Sequence, residues 1–243
     1  MTLLEFSLVT IIVAFAGFTQ GVAGFGGVFI LIPLLSLFFG VKTTIPLVNF
    51  LASTANIYLS FKLLKHIPWK KLVPFVITTL PGMFIGAYFL KTAKPGIIQA
   101  GLGLMLIFYA LYLLFVKPHR RKLHFLWDYI TSFIAGITGA AFGASSPPTL
   151  VYVTMQPWTK DFTTSFLASY FFFCGIMAFC AHASLGLITS KTFLYFALTI
   201  PIMFLSTYLG HRIYKKISET FYRKIITLLI LLLGILMLWQ GIF

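Results

Sequence analysis

Eight long apolar runs fill this chain almost from end to end, at about residues 6–40, 44–61, 72–90, 97–116, 125–157, 162–188, 192–211 and 221–243. In lipid every backbone N–H and C=O must be paired inside the protein, so runs of this kind fold as helices. An all-α polytopic membrane protein is therefore expected. A soluble domain is excluded by 60% hydrophobic residues, 9% charged residues and a mean hydropathy of +1.00. The connections Lys62–Lys71, Lys117–His124 and Arg212–Lys224 are basic and too short to fold alone.

A net charge of +14, from 18 Lys and Arg against four acids, would point to nucleic acid in a soluble protein. Here the basic residues sit between apolar runs, where the positive-inside rule accounts for them, and no nucleic-acid partner is expected. The first segment has neither a basic leader nor a small-residue cleavage site ahead of it, so it is expected to be retained. Cys174 and Cys180 fall on different faces of one helix, far from other ligating residues, and read as core residues. No metal and no cofactor are expected.

The chain repeats itself. Gly21 corresponds to Gly139, Phe25-Gly26 to Phe142-Gly143 and Lys42 to Lys160, at offsets of 117 to 118, and the stretch 86–91 resembles 210–215 at an offset of 124. Two four-segment halves, 1–122 and 123–243, follow from this. The first segment of each half is interrupted by small residues, Gly17–Gly27 (GFTQGVAGFGG) and Gly136–Pro148 (GITGAAFGASSPP). Gly/Pro-interrupted hydrophobic segments at matching points of two halves mark the binding site of a secondary transporter. As one straight helix, residues 6–39 would run about 50 Å against a hydrocarbon core of about 30 Å. The segment must break, and its arms, 6–20 and 28–39, fall short of the roughly 20 residues that a span needs. A re-entrant hairpin is expected in each half.

Charge counting separates the alternatives. If all eight segments cross, the basic residues divide nine and nine between the two sides; if the first and fifth are re-entrant, they divide fourteen and four. The uneven split obeys the positive-inside rule. It places the three basic connections in the cytoplasm and both termini outside, in a multi-pass protein of the cytoplasmic (inner) membrane. With three spans and one hairpin, the halves have opposite orientation, an inverted repeat of the kind that supports alternating access.

A helix that starts just after a Gly or Ser turn presents unpaired N–H groups and the positive end of its dipole, a ready anion site. Gly26 and Gly27 let backbone N–H groups approach an oxyanion, Ser145 and Ser146 add hydroxyls, and Pro147 and Pro148 suit a first helical turn. An isolated glycine in such a bundle is a helix-packing residue, whereas the paired clusters are expected to form a site. Gln20 stands beside the first turn. Asn49, Ser53 and Asn56 share one helical face, and Ser165 and Ser169 repeat the spacing; such stripes either join helices or line a path. His182 is expected in an interior or interface position, and Lys42 and Lys160 are expected to snorkel. Glu5, Asp128, Asp161 and Glu219 all lie at segment ends or in connections, so no carboxylate pair is available for catalysis and little is available for proton coupling. The chain is not expected to be an enzyme. A carrier and an anion channel fit the same turns, and a non-transporting membrane protein remains a third class.

The runs GVAGFGGVFILIP and GAAFGASSPPTLVYVTMQPWTKDF, with the two four-segment halves, resemble the sulfite exporter TauE/SafE family of membrane transporters over about Gly17–Leu238. The resemblance implies movement of small anions, such as sulfite, sulfonates or other organic acids, across the cytoplasmic membrane. It further implies Gly21, Gly24, Phe25, Gly26, Gly27 and Pro33 as first-half site residues. Gly139, Phe142, Gly143, Ser145, Ser146, Pro147 and Pro148 hold the matching second-half places. Ala144 and Ser145 depart from the pattern, standing where a second Gly-Gly is expected.

Overall fold

The computed structural model describes residues 3–23, 26–62, 67–116, 120–121, 123–213 and 219–243. Among them there are ten α-helices and no strand: α1 (Leu3–Ala23), α2 (Gly27–Phe39), α3 (Val41–Lys62), α4 (Trp69–Thr92), α5 (Pro95–Phe115), α6 (Leu126–Phe142), α7 (Ser146–Met155), α8 (Lys160–Ser184), α9 (Ser190–Ile213) and α10 (Glu219–Ile242). The described parts of α1, α4, α5, α8, α9 and α10 are long and apolar enough to cross a membrane. By contrast α2, α6 and α7 have only 13, 17 and 10 residues. At 1.5 Å per residue α2 covers about 20 Å and α7 about 15 Å, less than a hydrocarbon core.

Small residues decide how the helices meet. Gly17 lies against Met203 and Ser206 of α9, and Gly21 against Thr207 and His211, so α1 and α9 run parallel. Likewise Gly82 meets Phe133 and Ile137 of α6 while Gly86 meets Ile137 and Ala141, so α4 and α6 run parallel. Two further pairs are antiparallel. In α5 and α10, Gly96 faces Gly241 and Gly103 faces Gly234 and Leu238; in α3 and α8, Ser53 touches Gly175 and the Phe50 ring lies against Phe179. Close backbone approach of this kind supplies the dispersion contacts that hold helices together in lipid, where burial from water is no longer available as a driving force.

The breaks are narrower than the glycine clusters predict. The first helix continues through Gly17 and Gly21 to Ala23, and the chain resumes as α2 at Gly27 after Gly26, whose φ of 99° is left-handed. The second break is confined to 143–145, with Gly143 at φ 70°. Gly17, Gly21 and Gly136 stay helical because each sits against another helix's backbone. As a result α1, with 21 residues, outgrows the arm expected at 6–20 and attains the length of a span.

The Arg121 N–H donates to the Met155 carbonyl (2.8 Å), and the Tyr152 hydroxyl of α7 donates to Asp128 in the first turn of α6. The chain therefore leaves α7 beside the place where it entered α6. In the first broken segment Gly27 lies against Ala16 and Gln20, and Phe39 at the end of α2 stacks on Tyr195 at 4.2 Å. Tyr195 precedes the Gly17-facing Met203 by two turns of α9, so α2 ends level with the early part of α1.

Buried side chains form two groups, one around Phe29, Leu31, Ile45, Leu106 and Ile230, the other around Phe75, Tyr152, Phe166 and Tyr170. Outward faces carry Ile77, Phe84, Phe108, Phe204 and Leu232, all well exposed. A bundle that shows large apolar side chains on several outward faces is matched to lipid as its solvent.

Candidate functional site

The two breaks meet at a cavity of about 40 Å³. Gln20 near the end of α1 and Gly26 at the start of α2 line it from the first break. Gly139, Gly143, Ser145 and Ser146 line it from the second. A water needs roughly 10–15 Å³ of such space, so the cavity has room for a few waters or one compact ion.

Two helix N-termini open here. Neither N-cap residue caps its own helix: Gly26 and Ser145 make no side-chain cap bond. At α2 the Gly27 N–H donates to the Gln20 Oε1 at 3.2 Å. At α7 Pro147 and Pro148 occupy the first turn, where a missing N–H costs little because it has no intrahelical partner to lose. Ser146 is 9% exposed, and among the described residues its hydroxyl has no hydrogen-bond partner.

Opposite these donors, the carbonyls at the end of α6 are held by side chains from other helices. Asn49 Nδ2 of α3 donates to the Gly139 carbonyl at 2.9 Å, and His182 Nε2 of α8 lies 3.0 Å from the Ala140 carbonyl. That carbonyl can only accept, so Nε2 carries the hydrogen. Both bonds satisfy last-turn carbonyls that have no intrahelical donor. Met83, Phe171, Cys174 and Gly175, with Val28 and Ala52, also line it, and among the described residues no charged side chain or histidine is on the wall.

The sequence model of the family described as Sulfite exporter TauE/SafE matches residues 9–237, an interval that contains both breaks and the whole cavity wall. The chain belongs to the TauE/SafE family. No curated protein and no solved structure matches it.

In this TauE/SafE protein, Gln20, Gly26, Asn49, Gly139, Gly143, Ser145 and Ser146, all expected site residues, line this one cavity. Gly27 is in the first turn of α2 directly behind it. Other expected site residues are elsewhere. Gly21 faces the α9 backbone, and Phe142 points to Gly101 and Phe89. Ser53 donates to the Phe50 carbonyl and presses on Gly175, so it joins helices. Pro33 and Pro147 are buried within α2 and α7, and Ser165 and Ser169 are buried in α8, none of them on the cavity wall. Gly24 and Phe25 lie outside the described residues, as do the side chains of Asn56, Lys160 and Asp161. Lys42 donates from its Nζ to the Lys91 carbonyl at 2.7 Å and so caps the end of α4. Cys174, Gly175, Phe171 and Met83 are wall residues of the TauE/SafE cavity that sequence reasoning does not single out, because nothing in their spacing separates them from the core residues beside them.

Proposed function

We propose that this protein exports small oxyanions, sulfite and related sulfur-containing or organic acids, across the cytoplasmic membrane by alternating access, with the anion held between the N-termini of α2 and α7. The observation that carries this reading is the cavity itself, bounded by the starts of α2 and α7 and by the buried Ser146. Such ends attract anions through aligned peptide dipoles; in the first turn of α7 Pro147 and Pro148 have no N–H, so there the dipole and the Ser146 backbone and hydroxyl are what a ligand meets.

The helix pairings favour an inverted repeat of residues 1–122 and 123–243, each half opening with a re-entrant hairpin. Equivalent helices pair with each other antiparallel, α3 with α8 and α5 with α10, and the parallel pairs α1·α9 and α4·α6 exchange when the halves are swapped. A two-fold axis perpendicular to the helices has these properties, and in a membrane it lies in the bilayer plane. The end of the bundle where α4, α6, α8 and α10 begin is taken as cytoplasmic, because the basic connections of the sequence precede those helices and the positive-inside rule puts such connections inside. Both termini then face outward. An inside-negative potential drives a monovalent anion outward by about 2.3 kcal/mol per 100 mV, so export needs no co-ion.

The test is sulfite and sulfonate flux in proteoliposomes under imposed potentials, for the parent, Gly26→Leu and Ser146→Leu. Saturable, potential-sensitive flux with counterflow, lost in both variants, is expected. Flux without counterflow would mean a channel, and flux indifferent to potential would remove uncoupled export. No flux of any anion would overturn transport of this substrate class.

A further inference from the structure

We propose that Tyr170 and Phe75 form the cytoplasmic gate of this protein, and that substrate passes between the cavity and the cytoplasm through the space their side chains now fill. This rests on the proposed alternating-access transport and assigns the side chains that close one of its two routes.

Three helices lead from the cavity to the end of the bundle where α4 and α8 begin and α7 finishes. Each carries the same succession along that path. On α4 the wall residue Met83 is followed by Thr79 and then Phe75, on α8 Cys174 by Tyr170 and Phe166, and on α7 Ser146 by Thr149 and Tyr152. Steps of three or four residues keep each series on one helical face. The six side chains beyond the wall are all buried, none more than 3% exposed.

They pack as two layers. In the layer nearest the cavity the Thr79 and Tyr170 hydroxyls lie 3.1 Å apart, and the Tyr170 hydroxyl also interacts with Thr149 and with the Cys174 thiol of the wall. Cys174 in turn interacts with Ser145, another wall residue. In the next layer the Phe75 ring packs on Tyr170 at 4.9 Å, on Phe166 at 5.3 Å and on Tyr152 at 5.5 Å. Trp158 packs on Phe166 and Tyr152 in turn, and Tyr152 is held by Asp128, the partner of Lys71. A stack of rings stops an ion because it offers nothing in place of the ion's water. It can also open, since each ring pair is a weak contact taken singly. The hydroxyl layer joins the gate to the cavity wall, so a rearrangement at Ser145 or Cys174 reaches Tyr170 directly.

Cys174 is a native reporter, because it lines the cavity and the chain has one other cysteine, Cys180. In a Cys180→Ser background, the rate at which membrane-impermeant sulfonatoethyl methanethiosulfonate modifies Cys174 is measured from the cytoplasmic and from the outer face of oriented vesicles, without substrate. The ratio of the two rates cancels any change in the thiol's own reactivity. Phe75→Ala and Tyr170→Ala are expected to raise this ratio about tenfold over the parent. Phe75→Leu and Tyr170→Phe keep most of the volume, cover the case that the alanine variants fail to fold, and are expected to raise it about threefold. Phe196→Ala removes a buried ring near the start of α9, at the opposite end, and is expected to leave it unchanged. A ratio that rises in none of the four gate variants, or rises equally in Phe196→Ala, would overturn the inference. Sulfite flux in the parent with no such rise would leave transport standing without this gate, whereas a raised ratio with no flux of any anion would keep the gate and remove the transport proposal.

Discussion

Glycine does two jobs in this chain, and residue-level geometry separates them. A Cβ on Gly21 would lie 2.1 Å from the Thr207 carbonyl oxygen, a backbone atom that cannot turn aside. Gly21→Ala is expected to push α1 from α9 and lower stability by about 1–3 kcal/mol, read as an earlier thermal midpoint in detergent. A Cβ on Gly26 meets nothing nearer than 3.8 Å, but the φ of 99° is one that L-residues avoid. Gly26→Ala should therefore cost about 1–2 kcal/mol by backbone strain and lower flux more than stability. Asn49 poses a different question, since its amide is the donor for a last-turn carbonyl. Asn49→Ala is expected to destabilise by about 1–3 kcal/mol and to lower flux, because it leaves the Gly139 carbonyl buried and unpaired. An unchanged midpoint would mean that water replaces the amide. The polar residues at the breaks were legible in the sequence because Gly, Ser, Gln and Asn are conspicuous in apolar segments. Cys174 and Gly175 were not, since a small residue on a membrane helix carries the same signature whether it faces a cavity or another helix.

At the scale of elements, α7 and α4 are tied to the first turn of α6 by Asp128, which receives the Tyr152 hydroxyl and the Lys71 ammonium. The Lys71 side chain is 35% exposed and that of Asp128 14%, so the ion pair is partly screened while the tyrosine bond is better shielded. Lys71→Ala is expected to cost less than about 1 kcal/mol, and progressively less at higher salt. Asp128→Ala should cost about 1–3 kcal/mol with little salt dependence, because it strands the Tyr152 hydroxyl. Thermal unfolding of the two variants across a salt series separates these outcomes, and equal losses would assign the tie to the ion pair alone. That the first segment breaks could be read from the sequence by length alone: a segment of 34 residues cannot cross about 30 Å as one straight helix. The break positions could not. Helix propensity treats every glycine in GFTQGVAGFGG alike, and only the presence of α9 beside Gly17 and Gly21 keeps those two helical.

For the whole molecule, the testable quantity is sidedness. In a variant without Cys174 and Cys180, a cysteine at Arg121 is expected to react with a membrane-impermeant thiol reagent only from the cytoplasm, and one at Lys191 only from outside. Reaction of both from one side would overturn the proposed inverted repeat, because α6 begins and α9 begins at opposite ends of the bundle. The sequence by itself determined the solvent, the helical class, the two broken segments and the family resemblance. Hydropathy, segment length and the spacing of Gly and Ser are local quantities that one chain displays without a partner. Only the tertiary structure decided which glycines turn the chain and which admit a neighbouring helix, that α3 meets α8 and α5 meets α10 antiparallel, and that α3 and α8 supply Asn49 and His182 to the end of α6. Those outcomes depend on contacts between segments far apart in the chain. A cavity wall is the sum of such contacts, and no single segment contains it.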